Sequence, residues 1–308
     1  MTSVSFIVCT YDRYDIVDVA LNSIIVETAG AGYPVEILLV DNTPPARRRD
    51  IEVPDGVTVL PCDRSGLAVA RNAGIAASTG DIVVFVDDDA ELQPGYLAAL
   101  LSGFRTAPEA QVIGGRTLPV FPDERPAWFS DRLLGYLSCI DWGDTLRPLK
   151  PGEFVVGANI AFRRSVFDRF GGFNESLGRI GTASLLSNEE SELLGRLPRD
   201  AVFYNPRQVV GHHIPPSRLQ QAWFRKRVVW QAVSDVLGGM RYMDDKAALQ
   251  SFGEIQAALD PSKRGLGFLM QDAEDAVAFD RQLKLVYCLM MLSANGFDAH
   301  TAGLTSHG

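Results

Sequence analysis

The chain has 308 residues, 46% of them hydrophobic and 22% charged, enough for one large globular domain or two smaller ones with a sizeable core. A formal net charge of -9 and a pI near 5.0 exclude the sequence-wide basic footprint that a nucleic-acid binder usually carries. Cys9, Cys62, Cys139 and Cys288 lie far apart with no C-x-x-C pair, so neither a structural zinc site nor a disulfide framework is expected, and reduced thiols in a cytoplasmic protein fit best.

The N-terminal "MTSVSFIVCTYDRYD" has a short apolar run with no basic segment before it, which reads as a first strand over 4–10 and not as a signal peptide. A helix from about Asp15 to Val26 follows, then strands at "VEILLVDN" (35–42) and "VTVLP" (57–61), a helix over "LAVARNAGIAAS" (67–78) and a strand in "DIVVFVDDD" (81–89). Continuous Val/Ile/Leu runs separated by helices predict strands buried on both faces of a mostly parallel sheet with right-handed crossovers. Pro94 sits where the next helix would begin, and Leu97, Leu100, Leu101 and Phe104 supply its apolar face, so the three aspartates 87–89 are expected in a strand-to-helix turn. From about Gln111 a Gly- and Pro-rich region predicts an antiparallel extension of the sheet with loops over the site. From about Ser217 the pattern is helical. The apolar patch "LKLVYCLMML" is about half the length that crosses a bilayer, so a peripheral membrane association is the most a lipid surface could offer.

Ligands of open α/β sheets bind outside the carboxyl ends of the strands. Three polar clusters fall at such ends: "CTYDR" (9–13), "VDN" (40–42) and "VDDD" (86–89). Asp87, Asp88 and Asp89 repel one another unless a cation or a hydrogen-bonded sugar occupies the gap, and a divalent ion held by one or two carboxylates plus phosphate oxygens suits a diphosphate ligand. There is no G-x-x-x-x-G-K-[ST] loop and no G-x-G-x-x-G turn after the first strand, which argues against a P-loop NTPase and a dinucleotide-dependent oxidoreductase. In "SNEESELLGRL", Asn188 is a candidate N-cap. Glu189, Glu190 and Glu192 either serve the helix dipole or supply a general base.

The order "FIVCTYDR", "ILLVDN", "GLAVARNAGIAASTGDIVVFVDDDAEL", "GANIAFRRSVFDRFGGFNESLG", "NEESELLGRL" and "GHHIPPSR" resembles the family 2 glycosyltransferases, inverting enzymes of the GT-A fold, over roughly Val4 to Gln231. The resemblance implies a Rossmann-like, mostly parallel sheet with flanking helices, a catalytic domain over 1–216 and a helical extension over 217–308. It implies a nucleoside-diphosphate sugar as donor, UDP-linked by analogy, Mn2+ or Mg2+ as cofactor, and a glycan, lipid-linked or small-molecule hydroxyl as acceptor. Thr10, Tyr11, Arg13, Asp41, Arg71, Asp87 and Asp88 would hold the nucleotide sugar, with Asp12 replacing the usual Asn. Asp89 would bind the metal, joined by His212, with His213 a near competitor. Gly172, Phe173 and Glu175 would line the acceptor side, with Asn174 where Asp is commoner. The family's usual Glu-Asp pair is Glu189-Glu190 here, which points to Glu190 as base and keeps Glu189 open.

Other classes fit less well. A haloacid dehalogenase-type phosphotransferase places its nucleophile on the first strand, whereas this acidic cluster sits on the fourth, and a nucleotidyltransferase wants a Gly-rich basic loop where "CTYDRYD" stands. A non-catalytic sugar-binding relative would not need the acidic pair. The stripe of Trp223, Phe224, Arg225, Arg227 and Trp230 reads as core packing with snorkelling basic residues, or as a contact for a phosphate-bearing acceptor.

Overall fold

A computed structural model describes residues 2–181, 185–239 and 243–304. The first half alternates strands and helices: β1 (Val4–Thr10), α1 (Val17–Thr28), β2 (Val35–Asp41), β3 (Val57–Pro61), α2 (Leu67–Ala77), β4 (Ile82–Asp87), β5 (Ala90–Leu92) and α3 (Tyr96–Thr106). There follow β6 (Val112–Val120), β7 (Arg147–Pro148), β8 (Ile160–Arg163), α4 (Ser165–Phe170), α5 (Glu189–Gly195) and β9 (Val202–His213). Helices α6 (Gln221–Leu237), α7 (Asp245–Ala258), α8 (Leu266–Met270) and α9 (Ala276–Leu304) complete the described chain.

The central β-branched runs form parallel strands because helices cover both faces of the sheet there: Val4, Phe6, Ile7 and Val8 of β1 and Ile82 to Val86 of β4 are all buried, whereas the edge strand β3 stays partly exposed. The sheet order is β3-β2-β1-β4-β8-β6-β9-β5, with β7 added against β9. The β1, β2, β3 and β4 pairings are parallel, whereas β8 runs antiparallel to β4 and to β6. This is the mixed, mostly parallel sheet with flanking helices and a helical C-terminal region expected of a GT-A fold.

Two local expectations change. The aspartates do not lead directly into a helix, because β5 intervenes and pairs with β9. Helix α3 starts at Tyr96 after Gly95, whose φ of 88° favours glycine, so Pro94 stays in the turn.

The main core lies between the sheet and α1 to α4. A second core joins α6 and α9 to the segment 121–139: Phe129, Leu133 and Leu137 pack with Phe224, Val228, Phe279 and Leu283, and Trp128 meets Phe279 edge-on at 5.0 Å. The helical region therefore shares its core with a loop that leaves the sheet at β6. Among the described residues no helix is long and apolar enough to cross a membrane.

Candidate active site

Register carries the polar strand ends to one edge. Thr10 pairs with Asp41 across β1 and β2, and Cys9 with Asp87 across β1 and β4, so three carboxyl ends finish level. The antiparallel pairing of β5 with β9 sets His212 opposite Ala90, which brings its imidazole onto Asp89. A cavity of about 1150 Å³ opens there and runs from this edge to α6 and α9.

The repulsion among the three aspartates is met by the chain's own cations. Arg13 Nη1 donates to Asp88 Oδ1 at 2.6 Å and to Asp89 Oδ2 at 2.9 Å, and Thr10 Oγ1 donates to Asp88 Oδ2 at 2.8 Å. His212 Nε2 lies 2.9 Å from Asp89 Oδ1, Arg218 3.6 Å from Asp89 Oδ2, and Arg71 Nη2 3.5 Å from Asp87 Oδ1. Burial pushes the Asp88 carboxyl up to about 7 against the pull of Arg13. Burial acts the same way on Asp89, but His212, Arg218 and Arg13 outweigh it and hold that carboxyl well below the usual range. Burial opposes the charge on His212 too, yet Asp89 raises the imidazole to about 10, so the two form an imidazolium–carboxylate pair.

One ligand atom each from Asp87, Asp89 and His212 lies within 4.8 Å of the others, a half-buried and two buried donors that together could hold a metal ion. The geometry separates the two histidines: His213 Nε2 turns instead to Glu91 at 3.2 Å. Asp87, which the resemblance assigns to the nucleotide sugar, also stands in this possible ligand set.

Facing the aspartates, Arg71 is buried and its Nη1 donates to Glu189 Oε1 at 2.9 Å and to Glu190 Oε1 at 2.8 Å. Its guanidinium also lies over the Phe85 and Phe173 rings. Arg71 thus ties the glutamate pair to Asp87. The glutamates differ in access: Glu189 is buried with Oε2 unpartnered, while the Glu190 side chain keeps 15% of its surface open. Burial and the neighbouring Glu190 push the Glu189 carboxyl up to about 7. Gly157 makes this cluster possible, since a Cβ there would stand 2.0 Å from Arg71 Nη2 and 2.2 Å from Glu190 Oε1. Cys9 also lines the cavity, but burial pushes its thiol up to about 12, which makes a thiolate nucleophile there unfavourable.

Thr10, Tyr11, Arg13, Arg71, Asp87, Asp88, Asp89 and Glu190 all line the cavity. Asp41 stops short of it: its Oδ2 accepts from the Tyr14 hydroxyl and its Oδ1 from the Thr43 amide, and Asn42 lines the cavity in its place. Gly172, Phe173 and Glu175 do not line it either. Phe173 is buried against Phe85 and Phe162 and meets the site through Arg71, while Glu175 pairs with Arg64 at 2.8 Å. Asn188 precedes α5 in a left-handed conformation, φ 77°, and its amide donates to Asp235 instead of capping the helix. Arg225 and Arg227 do not snorkel, for both are buried. Sequence reasoning missed Gly157, Arg179 and Arg218 as parts of the site. Gly157 and Arg218 stand in the quoted "GANIAF" and "GHHIPPSR", but nothing local marks which side chains they would meet.

Compared with known proteins, residues 5–171 match the model of glycosyl transferase family 2, a span that ends before the glutamate pair. The chain is 28% identical over 260 residues to a glucosyl-dolichyl phosphate glucuronosyltransferase of Haloferax volcanii, covering 80% of this chain and 81% of the relative. It is 26% identical over 231 residues to the succinoglycan biosynthesis protein ExoM of Rhizobium meliloti, covering 71% and 70%. A pre-mycofactocin glycosyltransferase of Mycobacterium tuberculosis is 31% identical over 152 residues, covering 48% of this chain and 30% of the relative.

Proposed function

The chain belongs to glycosyl transferase family 2 and is a glycosyltransferase, and from that premise we propose that it moves a sugar from a nucleoside-diphosphate donor, UDP-linked in our reading, to a lipid-linked hydroxyl acceptor with inversion. The observation that carries this reading is the facing of two acidic groups across one cavity, with Arg71 joining them: Asp87–Asp89 on one side and Glu189–Glu190 on the other. An in-line displacement needs a leaving-group site and a base on opposite sides of the anomeric carbon.

In this mechanism Glu190 takes the proton from the acceptor hydroxyl. Its Oε1 is fixed by Arg71, and Oε2 accepts no hydrogen bond among the described residues. Glu189, sealed and inclined to hold a proton, orients Arg71 and does not act as base. Arg71 and Arg218 oppose the negative charge that grows on the departing nucleoside diphosphate. Asp87, Asp89 and His212, the last after giving up its imidazolium proton, would hold the divalent ion, and the mixed oxygen and nitrogen donors favour Mn2+ over Mg2+. Such an ion, when bound, neutralises diphosphate oxygens. Thr10, Tyr11 and Asn42, which line the cavity, would meet nucleoside, with Asp41 acting behind them through Tyr14. The acceptor roles of Gly172, Phe173 and Glu175 would then be indirect. We read residues 1–216 as the catalytic part and 217–308 as an extension that walls the acceptor end, working at the cytoplasmic face of a membrane. The lipid-linked acceptor rests on the Haloferax relative's name and the length of the cavity.

The test is a panel of nucleotide sugars in a thermal-shift assay with and without Mn2+, followed by nucleoside diphosphate release. Binding linkage predicts a clear rise in Tm for one donor, larger with Mn2+, and release that depends on acceptor. A panel in which no nucleotide sugar stabilises the chain under either condition overturns the donor assignment.

A further inference from the structure

The helical end of the cavity holds a buried cation without a counterion. Arg227 on α6 is 7% exposed and lines the cavity, and its Nη2 donates to Ser187 Oγ at 3.1 Å and to Gln231 Oε1 at 2.8 Å. Its Nε and Nη1 have no hydrogen-bond partner, and no carboxylate lies within ion-pair distance among the described residues. Two residues earlier on the same helix, Arg225 is equally buried but bonds Asp272, the Gln271 carbonyl, Gln221 and Gln282, and does not line the cavity. Arg225 is a structural arginine. Arg227 has the same burial, yet it lines the cavity and leaves two buried donors without a partner.

The nearby acid is already committed. Asp235 accepts from Asn188, Gln231 and Tyr287, three neutral donors, and leaves Arg227 unpaired. Arg179 lines the same cavity, near enough for its charge to act on Arg227 as well as on Arg218. Burying a charge is costly unless it is paired, and two guanidiniums with free N–H groups complement an anion of more than one charge and several oxygens better than a single carboxylate. Beside them Leu133, Tyr136, Trp223 and Leu283 form an apolar wall from the second core. The cavity of about 1150 Å³ runs from the aspartates to this wall, so a molecule at the helical end would share one space with the donor site.

We propose that the helical end of the cavity is a subsite for the phosphate of a lipid-phosphate acceptor, with Arg227 and Arg179 binding the phosphate oxygens and the wall at Leu133, Tyr136, Trp223 and Leu283 taking the adjoining hydrocarbon. This rests on the transferase reading above and adds which atoms of the acceptor the chain recognises. The subsite lies beside Glu189, so a phosphate held there leaves the rest of the acceptor to reach Glu190.

The probe is decyl phosphate, used below its micelle-forming concentration on the full chain, with decanol and decanoate as controls and calorimetry as readout. Decyl phosphate is expected to bind at least about tenfold tighter than either control, and Arg227→Met is expected to erase that difference while UDP–Mn2+ affinity stays within about twofold. The wild-type comparison stands even if the variant folds poorly, and Arg179→Met supplies a second partial loss. Decyl phosphate no tighter than decanol overturns the subsite, decanoate as tight as decyl phosphate overturns its phosphate character, and an equal loss of UDP–Mn2+ binding in Arg227→Met moves the residue to the donor site. The two readings fail separately, because absent UDP–Mn2+ binding in the wild-type chain speaks only against the donor assignment.

Discussion

The two ends of the cavity treat charge in opposite ways. At the sheet edge each buried carboxylate meets a cation of the chain: Asp88 and Asp89 meet Arg13, Asp89 also meets His212, and Asp87 meets Arg71. At the helical end Arg227 keeps two buried nitrogens unpartnered, and the local acid is satisfied by amides and a phenol. The first arrangement holds its shape before anything binds, and a ligand must exchange contacts with it. The second is completed by what enters. A transferase that binds two substrates can thus pre-organise its donor side and leave its acceptor side to be finished by the acceptor.

The junction between the two ends carries the largest expected effect. Glu190→Gln keeps the hydrogen bond from Arg71 to Oε1 but cannot take a proton, so the transfer rate should fall by about 10²–10⁴-fold with donor affinity little changed. Rapid-quench measurement of nucleoside diphosphate release checks it. A rate within tenfold of wild type would hand the base to Glu189 and move the chemistry into the sealed part of the site.

At the sheet end, Asp89→Ala removes the shared partner of His212, Arg13 and Arg218 and leaves buried cations unpaired. A loss of about 3–5 kcal/mol in denaturant unfolding is expected. The Mn2+-dependent part of the Tm rise with UDP should vanish as well. The half-buried Asp87→Asn should abolish the same Mn2+ effect at a smaller cost in stability. Metal-dependent stabilisation that survives both changes would break the assignment of Asp87, Asp89 and His212 as a ligand set.

Between the ends, Gly157→Ala places a methyl against Arg71 and Glu190. Overpacking of this kind costs about 1–3 kcal/mol, and a displacement near 1 Å at the base can slow chemistry by about 10²-fold. UDP–Mn2+ affinity should fall less than the rate, because the methyl reaches the aspartate cluster only by way of Arg71 Nη2 and its 3.5 Å contact with Asp87. Equal losses of binding and rate would mean that the two ends are mechanically one unit.

How much of this could be read beforehand follows from the range of each interaction. Strands β1, β2, β3 and β4 were legible to within a residue or so because unbroken Val/Ile/Leu runs leave few alternatives, and the strand-end aspartates, Thr10 and Arg13 came with them. The choice of His212 over His213 was not legible, since it depends on the β5–β9 register across 123 residues between His212 and Asp89. The burial of Arg227 depends on α9 and the segment 121–139 folding over α6, which no helical periodicity announces. Asn188 read as a cap by type alone, and Asp235, 47 residues on, claims its amide.

The smallest effect concerns Glu189, which lies between the two ends and whose proton belongs to neither. Burial and Glu190 raise its carboxyl from an ordinary 4.5 to about 7, so the folded chain favours the protonated form. The sign follows from linkage: this contribution to stability is complete below about pH 4.5 and is lost as pH rises through about 7. Stability measured in urea should therefore fall between about pH 4.5 and 7. Glu189→Gln, neutral throughout, should flatten that fall by on the order of 1–3 kcal/mol. The Asp88 carboxyl is also raised to about 7 by burial, so an unchanged slope in Glu189→Gln would put the titrating proton on the aspartate side. In that case the self-paired donor end, and not the glutamate junction, would carry the pH sensitivity of the fold, and the contrast between a finished end and an open one would weaken.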